Sequence, residues 1–156
     1  MKLGYAILAD AAEVSSDGKL TIMGGNIDAI NAPSFPALHP KLSLVVNLLV
    51  EPSDLANFEA SPQEVIFGVP HHQFRVECVE PDDATLVFAG VVPIPVIDIP
   101  KRSELPSKLM FVINSPPLVF RTSGIYKFRL YWDDQHLDDV MVLLREVGPN
   151  NERSEA

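Results

Sequence analysis

The chain has 156 residues, 47% of them hydrophobic and 21% charged, with 21 Asp and Glu against 12 Lys and Arg and a net charge of −9. That length fits one globular unit able to bury about two-thirds of its unfolded surface, so no disulfide or metal is needed as a staple. Wholesale disorder and a collagen-like repeat are excluded, no stretch approaches the ~18 apolar residues of a membrane span, and the acidity opposes nucleic-acid binding driven by counterion release.

The opening Met1-Lys2-Leu3-Gly4-Tyr5-Ala6-Ile7-Leu8-Ala9-Asp10-Ala11 imitates a secretory signal. Its apolar run is short, contains Gly4 and leads straight into Asp10 and Glu13, so it reads as a first strand, and a cytoplasmic location is expected. The lone Cys78 excludes an intrachain disulfide and suits a reducing compartment. Tyr5, Ile7 and Ala9 lead through Ala11 to the turn Ser15-Ser16-Asp17-Gly18, and Leu20 with Ile22 return as a hairpin. Gly24-Gly25 then ends a strand or forms a bulge.

From Lys41 to Glu51, Leu42, Leu44, Val46, Leu48 and Val50 share one face, while Lys41, Ser43, Asn47 and Glu51 share the other, with Val45 and Leu49 as exceptions. One face is expected to meet a core and the other mostly water, as in an antiparallel sheet. The one credible helix covers Pro52 to Glu59, with Ser53 as cap and Leu55 and Phe58 on one face. His71 and His72, following Pro70, are expected in a loop.

Phe74, Val76 and Cys78 alternate up to the turn Glu80-Pro81-Asp82-Asp83, and Leu86 with Phe88 return. Val91 to Pro100 is extended, apolar and interrupted by prolines that cannot donate to a ladder, which places it at a sheet edge. After Gly124, Tyr126, Phe128, Leu130 and Trp132 share one face, Asp133-Asp134-Gln135-His136 turns, and Val140, Val142 and Leu144 line the return. Four large apolar groups in a row make this the expected centre of the core. Residues 149–156 are expected to form a disordered tail behind a single domain of residues 1–148. Period-two patterning with a turn about every ten residues predicts an all-β fold: a single antiparallel two-sheet β-sandwich of about eight strands, immunoglobulin-like or C2-like, with at most one short helix. A small closed barrel is the structural rival.

Leu8-Ala9-Asp10-Ala11-Ala12 followed by Asp17-Gly18-Lys19-Leu20-Thr21-Ile22-Met23-Gly24-Gly25 resembles the start of a family of short bacterial proteins known only as a domain of unknown function. The likeness continues through Pro33 to Pro36 and Phe74-Arg75-Val76-Glu77. Gly124-Ile125-Tyr126-Lys127-Phe128-Arg129-Leu130 also resembles the last hairpin of many immunoglobulin-like sandwiches. The resemblance implies one compact β domain, and no activity.

No phosphate-binding glycine motif, nucleophile elbow or Ser-His-Asp set is present. His71 and His72 would point to opposite faces of a strand, His39 and His136 stand alone, and no histidine metal centre is expected. The pairs Asp82-Asp83, Asp133-Asp134 and Asp138-Asp139 lie at strand ends, where oxygen-rich loops hold calcium in C2-like domains, although aspartate is also a favoured turn residue. Asp10 amid alanines would need a hydrogen bond if buried, and a small enzyme using Asp10 or Glu13 as base is a third reading. Cys78, Tyr126 and Trp132 read as core. The expectation is a protein that is not an enzyme, with no catalytic, cofactor or metal residues: a binding or assembly module with a protein partner, or self-associating into a homo-oligomer, through Val91–Pro100 or Pro116-Pro117-Leu118-Val119-Phe120. The alternative is calcium-dependent binding.

Overall fold

The computed structural model describes residues 1–60, 62–99 and 104–148, so the expected tail at 149–156 lies outside the described residues, as does Pro100. The described residues form β1 (Lys2–Val14), β2 (Leu20–Gly25), β3 (Ala29–Ala32), β4 (Ala37–His39), β5 (Ser43–Val50), α1 (Pro52–Ala60), β6 (Glu64–Ile66), β7 (Val69–Val79), β8 (Leu86–Pro95), β9 (Ser107–Asn114), β10 (Leu118–Phe120), β11 (Gly124–Trp132) and β12 (Gln135–Glu146). A four-stranded sheet runs β2-β1-β5-β9. In the larger sheet, of order β3-β12-β11-β7, β6 extends the β11 edge of β7 while β8 takes the other edge. A ribbon of β4 and β10 stands apart, and β3 joins β12 in parallel.

The all-β class with one short helix holds. The about eight strands and the purely antiparallel two-sheet plan do not: among the described residues there are twelve strands in three sheets, one pair of them parallel. β4, β6 and β10 are three residues each, too short for alternation to register, and tertiary pairing alone makes them strands.

The inner faces meet as the patterning requires. Leu44, Val46 and Leu48 from β5 pack with Phe74, Val76 and Cys78 from β7, and with Tyr126, Phe128 and Leu130 from β11. The Tyr126 hydroxyl donates to the Thr122 carbonyl at 2.8 Å and so ties the corner before β11 to the core.

β5 corrects one expectation, since its second face is dry too. Ser43, Val45 and Asn47 are all buried. The register explains it: Ile7, Val45 and Val112 form one row across β1, β5 and β9, and Tyr5, Asn47 and Met110 form the next, so flanking side chains shield the central strand. The Ser43 hydroxyl is satisfied by Asn114 Oδ1 at 2.7 Å, as a buried polar group must be.

The helix begins differently from expectation. Pro52, whose missing N–H costs nothing at a first helical position, follows Glu51, and the Glu51 N–H is capped by Asp54 Oδ2 at 2.9 Å, not by Ser53. Asp54 also pairs with the Met1 amino group at 2.8 Å. Burial would raise its carboxyl, but these hydrogen bonds outweigh that and hold it below the ordinary value. As expected, Phe58 is buried and Leu55 packs against the core.

Candidate interaction surface

β6 and β7 form a hairpin that periodicity does not reveal. Glu64 pairs with His71, Val65 with Pro70 and Ile66 with Val69, which leaves Phe67-Gly68 as a two-residue turn. Both turn residues have positive φ, 49° and 79°. Matching the twist of the strands demands such a turn, and Asn-Gly or Gly-Gly normally fills it. Glycine adopts this region freely, whereas an aromatic residue there is an outlier. Phe67 is fully exposed, and Val65 in the same hairpin is 63% exposed. A bulky side chain thus stands at the tip with no neighbour among the described residues to reward its backbone strain.

The base of the hairpin is rigid. The Gln63 N–H donates to the His71 carbonyl at 3.0 Å, and His71 Nδ1–H donates to the Val69 carbonyl at 2.7 Å. His72 Nδ1 lies 2.9 Å from Asp133 Oδ2, and its Nε2 lies 2.8 Å from the Phe58 carbonyl oxygen. Both partners are acceptors, so the ring makes both bonds when both nitrogens carry hydrogen. The ring also stacks on Trp132, with centroids 5.2 Å apart, and meets the Phe58 ring edge-on at 5.3 Å. Asp133, at φ 52°, accepts the Gln73 N–H through its other oxygen at 3.0 Å. One imidazole therefore joins α1, β7 and the β11–β12 turn beside the hairpin.

His71 and His72 lie in β7, not in the expected loop, and both are buried. Pairing of β7 with β6 on one edge and β8 on the other draws them into the sheet past Pro70. Asp10 is exposed on β1, with its carboxylate packed over Gly24. Glu13, also exposed, lines a shallow cavity of about 250 Å³ with Lys41, Thr21 and Met23, and Asp10 does not reach it. Cys78 is wholly buried, and burial pushes its thiol up to about 12.

The aspartate pairs do not converge. Asp83 pairs with Lys127 at 3.0 Å and Arg129 at 2.7 Å beyond the Val79 end of β7, while the Asp133 N–H donates to Gln73 at the other. The strand between separates the two turns by about 20 Å. Asp82 is held down to about 2 by the Thr85 hydroxyl and then by the Thr85 and Ala84 N–H groups. His136 Nε2 bonds Asp139 at 2.8 Å, and Asp138 accepts the Asp139 N–H. Among the described residues, no three His, Cys, Asp or Glu side chains are grouped to hold a metal ion.

Val91 to Pro95 lies in β8, which among the described residues pairs with β7 alone and so forms a sheet edge as its prolines require. A single 3₁₀ turn, Val96–Asp98, follows. Leu118 and Phe120 are buried in the ribbon, and Val119 faces out opposite Leu38. No helix among the described residues is long and apolar enough to cross a membrane.

Sequence reasoning missed Phe67 and His72. Val65-Ile66-Phe67 reads as part of an apolar run, and Gly68 is the one local mark of a turn. No curated protein and no solved structure matches the chain. A family model does, over residues 4–143, and its description is a family of unknown function. With that match spanning most of the fold, and in keeping with the resemblance of its opening motif, the chain belongs to the family of unknown function DUF6941.

Proposed function

We propose that this protein is a non-catalytic interaction module whose partner contact is the β6–β7 hairpin. The observation that carries the reading is Phe67, fully exposed and held in the left-handed region, with no contact among the described residues to offset either cost. Large aromatic side chains on a rigid frame are the usual anchors of protein interfaces, because they bury much area while losing little side-chain freedom. The His72 clamp supplies the frame. The test is a paired affinity purification from the native cell with wild type and Phe67→Asn, which keeps the turn. A protein enriched by wild type and lost with the variant supports the reading, and identical sets from both overturn it.

A second reading is self-association through β8, favoured by the exposure of Leu86 and Val91 along a proline-free stretch of that edge, residues 86–92. Light scattering on wild type and Val91→Lys tests it. Concentration-dependent growth abolished by the lysine supports the edge contact, and a monomer throughout removes it.

A further inference from the structure

We infer that the partner receives Phe67 in an apolar pocket framed by Lys and Arg side chains, an inference that rests on the hairpin being the contact. Charge around the finger carries it. From residue 62 to residue 74 the chain holds Glu64 and not one Lys or Arg, whereas Glu51 and Asp54 are already paired with Lys2 and the Met1 amino group. Glu64 lies in the hairpin itself, and the β11–β12 turn sets Asp133 and Asp134 beside its base, where Asp133 bonds both His72 and the Gln73 N–H. Among the described residues the tip is thus apolar, with Glu64, Asp133 and Asp134 at its base.

A complementary surface has the inverse arrangement, a dry pocket for one ring and a positive rim. The same charges oppose the other surfaces that accept an exposed aromatic. An anionic membrane would take the ring but repel Glu64 and Asp134, and nucleic acid would stack on it but repel the whole molecule, which carries a net charge of −9. A second copy of this chain would have to build that rim from a set in which Lys127 and Arg129 are already paired with Asp83, Arg121 with Glu80 and Lys2 with Glu51.

The test uses the full chain with a photoreactive benzoylphenylalanine at position 67, and at Leu38, also apolar and exposed, as control, in native cells. The crosslinked protein is then purified and titrated against wild type, Phe67→Asn and Glu64→Lys at rising salt. A single protein is expected from position 67 and not from 38. Its affinity should fall at least tenfold with Phe67→Asn, fall several-fold with Glu64→Lys, and weaken steadily with salt. If salt and Glu64→Lys have no effect while Phe67→Asn weakens binding, the basic rim is wrong and the hairpin contact stands. Absence of a position-specific crosslink, or full binding by Phe67→Asn, overturns both. Sedimentation of wild type with phosphatidylserine-containing vesicles, or a crosslink to a second copy, overturns the partner assigned here.

Discussion

Replacing Phe67 by Asn should make the protein more stable. The wild-type ring is fully exposed, so its removal forfeits almost no burial and the hydrophobic loss is close to nil. The backbone at φ 49° costs an ordinary side chain about 1–2 kcal/mol, and Asn, whose short amide bonds locally, escapes much of that. The net gain is about 1 kcal/mol, which for a domain of this size raises the melting temperature by roughly 2–4 °C. Equilibrium urea denaturation should show a higher midpoint at an unchanged slope, with calorimetry confirming the shift. Gly68→Ala, at φ 79°, should move stability the opposite way by a similar amount. A lower midpoint for Phe67→Asn would mean that the ring is packed in solution, and the anchor reading would fall with it. A gain would show that the natural residue is kept at the expense of stability, as binding residues often are.

Three further outcomes follow from the same geometry. His72→Phe keeps the stacking ring but strands the Asp133 carboxylate and the Phe58 carbonyl, and urea titration should show a loss of about 2–4 kcal/mol. Gly24→Ala sits at φ 58° with its Cβ 2.7 Å from the Asp10 carboxyl carbon, and should cost about 2 kcal/mol; adding Asp10→Ala should recover the steric share and leave the backbone share, which a double-mutant cycle separates. Asp82 is depressed to about 2, so its contribution is complete above the ordinary carboxylate range and disappears as pH falls through 2; Asp82→Asn should therefore flatten the acid limb of the stability profile, and a limb as steep as wild type would contradict the assignment.

Legibility tracked the length and solvent asymmetry of each element. β11 could be read because Tyr126, Phe128, Leu130 and Trp132 alternate with Lys127, Arg129 and Tyr131, and β7 and β12 could be read in part, over Phe74–Cys78 and Val140–Leu144, where apolar residues recur at every second position. β4, β6 and β10 could not, since three residues hold no period and only their neighbours make them strands. At Ser43 and Asn47 polarity pointed outward, while the true environment depended on β1 and β9, more than thirty residues away along the chain. The candidate site was the least visible part. Turn grammar expects Asn or Gly where Phe67 stands, and the partners of His72 come from Phe58 and Asp133, fourteen and sixty-one positions distant. Where a residue obeys local rules the sequence is legible, and where it breaks one, as Phe67 does, it is not.

The dryness of both faces of β5 reaches back into biosynthesis. Ser43 to Val50 contains no charge and no proline, and one of its two flanking strands ends only at Asn114. While the nascent chain lacks that later strand, an uncharged, valine- and leucine-rich ribbon stands half clothed, the composition that seeds intermolecular cross-β stacking. Expression yield should therefore be governed less by the melting point of the finished molecule than by how promptly β9 arrives, and slowing translation between codons 50 and 114 should drive the product into inclusion bodies.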